Sequence, residues 1–188
     1  MALTLISTPL DNLTTSDTPV CDVTITSGID GTYPVYEFHW VNIEPDSNGV
    51  SFTFQVETGT DSDYDHPMTT TFFQAYHKED DSGPTLAYSS GNDQATSGDT
   101  NGVPHKLAKE IGTDSDEGTS GVLTIYDPSS TTYVKHFMAS ANSYQSGDYS
   151  MATYTAGYVN ITAAITRVQF ALSSGDIEAG TIKMFGVS

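Results

Sequence analysis

Short runs of alternating apolar and polar residues, separated by turn residues, restrict this chain to an all-β fold. The clearest run is residues 50–56, in which Val50, Phe52, Phe54 and Val56 are expected to face a core. Similar runs return along the chain between clusters of Gly, Pro, Asp and Ser. Many short strands at near-regular spacing are typical of an antiparallel sandwich or barrel.

Residues 35–43 give the strongest strand pattern of the chain. Because side chains alternate between the two sides of a strand, the pattern predicts two faces. One face carries Val35, Glu37, His39, Val41 and Ile43, and the other carries Tyr36, Phe38, Trp40 and Asn42.

One segment has helical rather than alternating spacing. Val103, Leu107 and Ile111 are four residues apart, which places them on one face of a helix, and Gly112 follows as a stop. The sequence therefore predicts one short helix over residues 103–111, in an inserted loop.

The chain is predicted to have one sandwich domain, residues 20–188, preceded by an arm at residues 1–19. The arm has no basic residue and only a short apolar run, so it is not expected to be a secretory signal. Its apolar residues Leu3, Leu5 and Ile6 are predicted to attach the protein to a larger assembly by adding a strand to a neighbour's sheet edge.

The charge balance excludes two classes of partner. The chain has 24 Asp and Glu against 6 Lys and Arg, a net charge of −18. Nucleic-acid binding needs clustered cations, and an anionic membrane surface would repel the chain. The longest apolar stretch is far shorter than a membrane span of roughly 20 residues. We therefore expect neither nucleic-acid binding nor membrane insertion, and synthesis in a cytoplasm.

The sequence gives no sign of catalysis. It contains no G-x-S-x-G motif, no phosphate-binding glycine loop and no H-E-x-x-H motif, and its five histidines are isolated in sequence. We expect a non-enzymatic protein without a cofactor. The single cysteine, Cys21, cannot form a disulfide within the chain.

Two acidic loops are weak calcium candidates, because alternate carboxylates in a loop can converge on one ion. Neither loop has the Gly and Glu spacing of an EF-hand, so solvated loops are the favoured interpretation and no metal is predicted. The candidate ligands are Asp61, Asp63, Asp65, Asp114 and Asp116.

Four tyrosines lie among Ser, Asn, Gln, Thr and Gly, which is the composition of a sugar-binding surface. Packing at a sheet or subunit interface is the favoured explanation, although the sequence pattern does not separate the two interpretations. These tyrosines are Tyr144, Tyr149, Tyr154 and Tyr158.

Two motifs occupy much of the C-terminal third: residues 157–165 have the pattern G-Y-x-N-x-T-x-A-I, and residues 173–186 have S-S-G-x-I-x-A-G-T-I-x-x-[FY]-G. This part of the chain resembles the ending of many phage virion proteins. Upstream, residues 27–33, 68–77 and 128–136 are also similar to these proteins. The resemblance is strongest to small structural proteins of marine tailed phages.

This resemblance covers most of residues 20–187 and implies a jelly-roll sandwich, often trimeric, on the exterior of the particle. It implies other virion proteins of the head or tail as partners, and it carries over no catalytic residues. The alternative is a receptor-binding module for host surface glycans. Residues 173–176 are expected to form a hairpin-like turn before a last strand that closes the sheet.

Overall fold

The fold was analysed in a computed structural model, which describes residues 2–95 and 102–188. These residues form twelve β-strands in antiparallel pairs and contain no helix. The strands are β1 (Leu3–Leu13), β2 (Asp22–Ile25), β3 (Val35–Pro45), β4 (Val50–Thr58), β5 (Met68–Lys78), β6 (Thr85–Tyr88), β7 (His105–Ile111), β8 (Thr119–Tyr126), β9 (Lys135–Gln145), β10 (Tyr149–Val159), β11 (Ile165–Leu172) and β12 (Ile177–Val187).

The strands form two layers. The larger layer has the order β1-β12-β3-β8-β9-β10-β5-β6, and the smaller layer has the order β7-β4-β11-β2. A single pairing of Ile111 with Gln145 joins β7 to β9, so the sheet is nearly closed. The predicted jelly-roll-like antiparallel β-sandwich is confirmed.

Aromatic rings from the two layers meet in the core. Phe38 of β3 lies 5.6 Å from Phe170 of β11, and Trp40 of β3 lies 5.4 Å from Phe52 of β4, measured between ring centroids. All four side chains are almost fully buried. The alternation predicted for β4 is confirmed, because Val50 and the apolar side chains that follow at every second position all face this core.

A β-bulge changes the faces predicted for β3. Asn42 has φ 50°, and the pairing register shifts between Trp40 and Ile43. An extra residue in one strand reverses the alternation beyond it. Ile43 is therefore buried on the same side as Trp40, and Val41 is exposed.

The helix predicted over residues 103–111 is wrong. Residues 105–111 form β7, which pairs with β4. Its register shifts between the pairings of Phe52 and Val50 of β4, and Glu110 lies there with φ 55°. Leu107 and Ile111 are both buried, and residues four positions apart share one side of a strand as well as one face of a helix. Their spacing therefore imitates a helix.

The N-terminal segment also differs from its prediction. Instead of a separate arm over residues 1–19, Leu3–Leu13 is an edge strand that pairs with β12 of the same sheet. Ile6 packs against the core, whereas Leu3 and Leu5 are exposed. The attachment role of these three residues stays a prediction.

The turn at residues 173–176 is a connection between layers, not a hairpin. It leads from β11 in the smaller layer to β12 in the larger layer, where β12 lies between β1 and β3. Gly175 has φ 71°, and the backbone N–H of Asp176 donates to the Asp46 carboxylate over 2.9 Å.

A neutral histidine is buried between the layers. The Thr155 hydroxyl donates to the carbonyl oxygen of Thr71, so it accepts a hydrogen bond from Nε2 of His105, 2.6 Å away. Nδ1 of His105 is buried without a hydrogen-bond partner among the described residues, beside the rings of Phe54 and Phe137. Burial lowers the pKa of His105 to about 3, and the neighbouring Lys106 adds to this effect.

We expect this histidine to make the fold sensitive to acid. The unfolded chain binds the proton with a pKa near 6.5 and the folded chain only near 3, so stability is complete above 6.5 and falls as the pH drops. The slope between these values is about 1.4 kcal/mol per pH unit. Urea titrations at pH 7, 6 and 5 measure this slope, and His105→Gln should remove this part of it. Equal slopes for the two proteins between pH 6.5 and 5 would contradict the assignment.

Candidate functional surfaces

The four candidate tyrosines lie on three different parts of the surface. Tyr154 and Tyr158 point outward from β10, where Tyr158 contacts the ring of His136. Tyr149 points to the opposite side of β10, into a cleft between the layers. Tyr144 lies at the end of β9, where loss of solvation and a hydrogen bond to Glu79 raise its pKa to about 12. The structure does not bring the four rings into one site.

The outer side of β9, β10, β5 and β6 is free of acidic residues and carries large apolar side chains among Ser, Thr, Asn and His. None of these four strands contains an Asp or a Glu, although the chain has 24. We call this surface the acid-free face. Its exposed large side chains are Phe73, Leu86, Tyr88, Met138 and Tyr154.

Strand register explains how this face is assembled. Tyr154 of β10 pairs with Phe73 of β5, which pairs with Tyr88 of β6, so three rings form one row across the sheet. The rings of Tyr154 and Phe73 stack at 5.2 Å. The adjacent row has Ala152, Ala75 and Leu86, of which Leu86 is 76% exposed.

The rim of the acid-free face carries the nearest acids. The Tyr88 hydroxyl donates a hydrogen bond to the Asp93 carboxylate, and the His77 ring lies 3.3 Å from a carboxylate oxygen of Asp81. An apolar centre within a charged rim is the usual composition of a protein-protein interface. Sequence reasoning reached Tyr154 and Tyr158 of this face; the signal it missed was the lack of acids over four strands.

The cleft between the layers is built around the β7 bulge, and we call it the interlayer cleft. It encloses about 270 Å³ where β7 approaches β9 and β10. Its lining residues are Gln74, Tyr76, Lys109, Glu110, Gln145, Tyr149 and Met151.

Hydrogen bonds fix the polar groups of the interlayer cleft. Glu110 accepts from Nζ of Lys109 over 3.0 Å and from Nε2 of Gln145 over 2.6 Å. The side-chain oxygens of Gln74 and Gln145 are buried and accept no hydrogen bond from the described residues. The rings of Tyr76 and Tyr149 meet edge to face at 5.7 Å beside these groups. The cleft therefore offers two free acceptors next to an aromatic surface.

A second cleft, of about 580 Å³, lies where three bulges are aligned across β1, β12 and β3. Asn12, Asn42 and Gly180 have φ values of 52°, 50° and 129°. Its polar groups bond mainly to each other: the N–H of Asn12 donates to Thr181, and the N–H of Asn42 donates to Ser120. This arrangement identifies no particular ligand.

The first acidic loop is organised by a buried glutamate. Glu57 accepts hydrogen bonds from the N–H groups of Thr58 and Tyr64 over 2.6 and 2.8 Å, and from His66 Nε2 over 2.7 Å. Burial alone would raise the pKa of Glu57, but these hydrogen bonds outweigh burial and hold it below its usual value. Sequence reasoning missed this residue because it lies within β4, outside the alternating carboxylates of residues 61–65.

The loops do not bring the five candidate calcium ligands together. Within the described ranges, one group of three potential ligands lies within 4.8 Å, and it consists of Glu57, Asp65 and His66. Asp61 and Asp63 lie outside this group, as do Asp114 and Asp116 in the loop before β8.

Replacing Glu57 by glutamine is expected to destabilise the protein by about 1–3 kcal/mol, because the two backbone donors would lose a charged acceptor. Equilibrium unfolding in urea at pH 7 measures the loss. Asp61→Asn in the same loop is the matched control, since Asp61 is exposed, and its expected effect is within about 0.5 kcal/mol. Equal effects for both substitutions would show that Glu57 does not hold the loop.

Comparisons with known proteins give no relative: no protein-family model, no curated protein and no solved structure matches this chain. No helix capable of crossing a membrane is found in residues 2–95 and 102–188.

Proposed function

We propose that this chain is a non-enzymatic structural component of the exterior of a tailed-bacteriophage particle, where three copies assemble through the acid-free face. The exposed apolar side chains of that face, in a chain of net charge −18, carry the proposal. The placement on a phage particle is supported by the sequence resemblance over residues 20–187.

Electrostatics favours association through this face. A net charge of −18 makes copies of the chain repel each other over most of their surface. Because β5, β6, β9 and β10 contribute no carboxylate, copies that meet there bring few negative charges together. A nucleic acid or an acidic polymer gains no attraction from a face with so few cations.

Burial of apolar surface supplies the driving force. Leu86, Met138 and Tyr88 are each more than half exposed in the single chain. Apolar patches of this kind on a soluble protein usually mark an interaction site. Ala75 and Ala152, in the row beside the rings, leave room for large side chains of another copy.

Attachment to other particle proteins is proposed at β1. The described residues pair only one edge of β1, which ends the larger layer. Pro9 and Asp11 obstruct strand addition along its second half, whereas residues 3–7 contain neither a proline nor a charge. A partner strand added there would cover the exposed side chains of Leu3 and Leu5.

The particle itself tests the proposal. A density map of the phage particle should show the chain on the outer surface in groups of three, on the head or the tail. Leu3→Asp combined with Leu5→Asp should leave a folded protein that no longer joins the particle. Absence of the chain from purified particles would refute the placement, and normal incorporation of the double variant would refute attachment at β1.

Recognition of host surface glycans is a second proposal, favoured by the interlayer cleft. This cleft places free amide oxygens beside tyrosine rings, and such groups bind the hydroxyls and the apolar side of a sugar ring. Purified protein that coats host cells and competes with phage adsorption would support it. Failure to bind host cells would exclude it without affecting assembly through the acid-free face.

A further inference from the structure

We infer that the interlayer cleft binds one neutral pyranose unit, whose ring packs on Tyr149 and whose hydroxyls donate to Gln74 and Gln145. The inference rests on the second proposal, glycan recognition, and assigns its site and ligand class. It does not depend on assembly through the acid-free face.

The inference rests on two buried amide oxygens that accept no hydrogen bond from the described residues. Gln74 is 7% exposed, and its Oε1 accepts no hydrogen bond from the described residues, like Oε1 of Gln145. Leaving such a group unpaired costs about 1–3 kcal/mol, so a site that keeps two of them is suited to a ligand that donates. Hydroxyl groups are such donors.

The orientation of the Gln145 amide is fixed by its neighbour. The Glu110 carboxylate can only accept, so it must face the NH₂ group of Gln145, 2.6 Å away. The amide oxygen of Gln145 therefore points away from Glu110 and has no hydrogen-bond partner among the described residues. Glu110 itself is held by the β7 bulge, where its φ is 55° and its carbonyl oxygen accepts from the N–H of Ser146 over 3.1 Å.

The β7 bulge also determines where two charged side chains lie in the cleft. Residues other than glycine rarely adopt positive φ, and bulges often redirect side chains beside functional sites. Here the bulge brings Lys109 and Glu110 together at the cleft as an ion pair 3.0 Å long. A pyranose hydroxyl could donate to the carboxylate and accept from the ammonium group, which adds polar contacts to the two amide oxygens.

The aromatic wall and the volume of the cleft suit a single ring. The Tyr149 ring contacts Tyr76 edge to face, and Nζ of Lys78 lies 5.5 Å from its centroid. Sugar rings pack their C–H groups on such rings. The cleft volume of about 270 Å³ is below the roughly 300–1,000 Å³ of pockets for drug-sized ligands. One pyranose unit at the end of a glycan matches this size.

The charges in and around the cleft favour a neutral sugar over an acidic one. Lys109 is already paired with Glu110, and Asp148 directly precedes Tyr149 in the sequence. The net charge of −18 also repels acidic saccharides. We therefore do not expect uronic or sialic acids to bind in the cleft.

Titration of the intact chain with defined sugars tests the inference. The probes are the methyl pyranosides of glucose, galactose, mannose and N-acetylglucosamine, with methyl glucuronide as the acidic control, followed by saturation-transfer NMR and calorimetry. At least one neutral sugar should bind, and Tyr149→Leu and Gln145→Met should each weaken binding by about tenfold or more. Tyr133→Leu in the exposed loop before β9, outside both the cleft and the acid-free face, is the matched control and should leave sugar binding unchanged. Far-ultraviolet dichroism and melting temperatures confirm that each variant is folded.

Three results would overturn the assignment: no neutral sugar binds, a neutral sugar binds equally well to both cleft variants, or only the glucuronide binds. Measuring how the same proteins adsorb to host cells distinguishes failure of the cleft assignment from failure of the second proposal, glycan recognition. Host binding that the cleft variants do not reduce would leave glycan recognition in place at another site. No host binding by the unmodified protein would remove both.

Discussion

Replacing Phe170 by alanine is expected to lower the free energy of unfolding by about 3–5 kcal/mol. Phe170 is fully buried in the smaller layer, where its ring lies 5.6 Å from Phe38 of the larger layer and stacks at 5.7 Å on Phe52. Removing it takes away buried apolar surface and leaves a cavity that neighbours on two strands can only partly fill. Equilibrium unfolding in urea, followed by tryptophan fluorescence from the buried Trp40, measures the change.

Tyr133→Ala is the matched control for this substitution. Tyr133 is an aromatic residue of similar size, but its side chain is 69% exposed, so the expected change is within about 0.5 kcal/mol. A loss below 1 kcal/mol for Phe170→Ala, or equal losses for the two variants, would mean that the layers do not pack together around Phe170.

Replacing Tyr154 by glutamate is expected to convert the assembled protein into single chains. The substitution places a carboxylate beside Phe73, in the ring row at the centre of the acid-free face. Burying an unpaired charge in an apolar interface costs several kcal/mol, and each copy in the assembly would carry that penalty. Sedimentation velocity should therefore give the 20.1 kDa mass of one chain for the variant and a multiple of it for the unmodified protein.

The melting curve of the Tyr154→Glu variant distinguishes dissociation into single chains from unfolding. Tyr154 is 44% exposed in the single chain, so the glutamate remains hydrated there and the melting curve of the monomer should change little. Tyr133→Glu makes the same chemical change in the loop before β9, away from the ring row, and should leave the assembly intact. Dissociation by both variants would indicate general charge repulsion and not an interface at the acid-free face.

Whether a strand could be predicted from the sequence depended on how regularly its apolar and polar residues alternate. β4 was predicted because it is regular and its apolar residues alternate without interruption. β7 was mistaken for a helix because the bulge at Glu110 breaks the alternation, and a bulge depends on pairing with a strand that is distant in sequence. β1 was interpreted as an arm because it lies at the sheet edge, where few of its side chains need to be apolar.

The candidate surfaces were partly accessible from sequence. The lack of acids in β5, β6, β9 and β10 can be read directly from the residues, once the strands are known to be neighbours. The interlayer cleft could not be read in this way. Gln74 and Gln145 are 71 positions apart in the printed numbering, and both line the cleft only because β5 and β9 flank β10. Tyr149 was one of the four tyrosines named from the sequence, but the sequence did not indicate which side of the strand it faces.

An experimental structure of the protein in its oligomeric form tests whether copies of the chain join through the acid-free face. We expect three copies in which Phe73, Leu86 and Tyr154 of each lie in contact with a neighbouring copy and are shielded from water. A trimer in which these side chains face solvent, or a protein that stays a single 20.1 kDa chain at all concentrations, would contradict it.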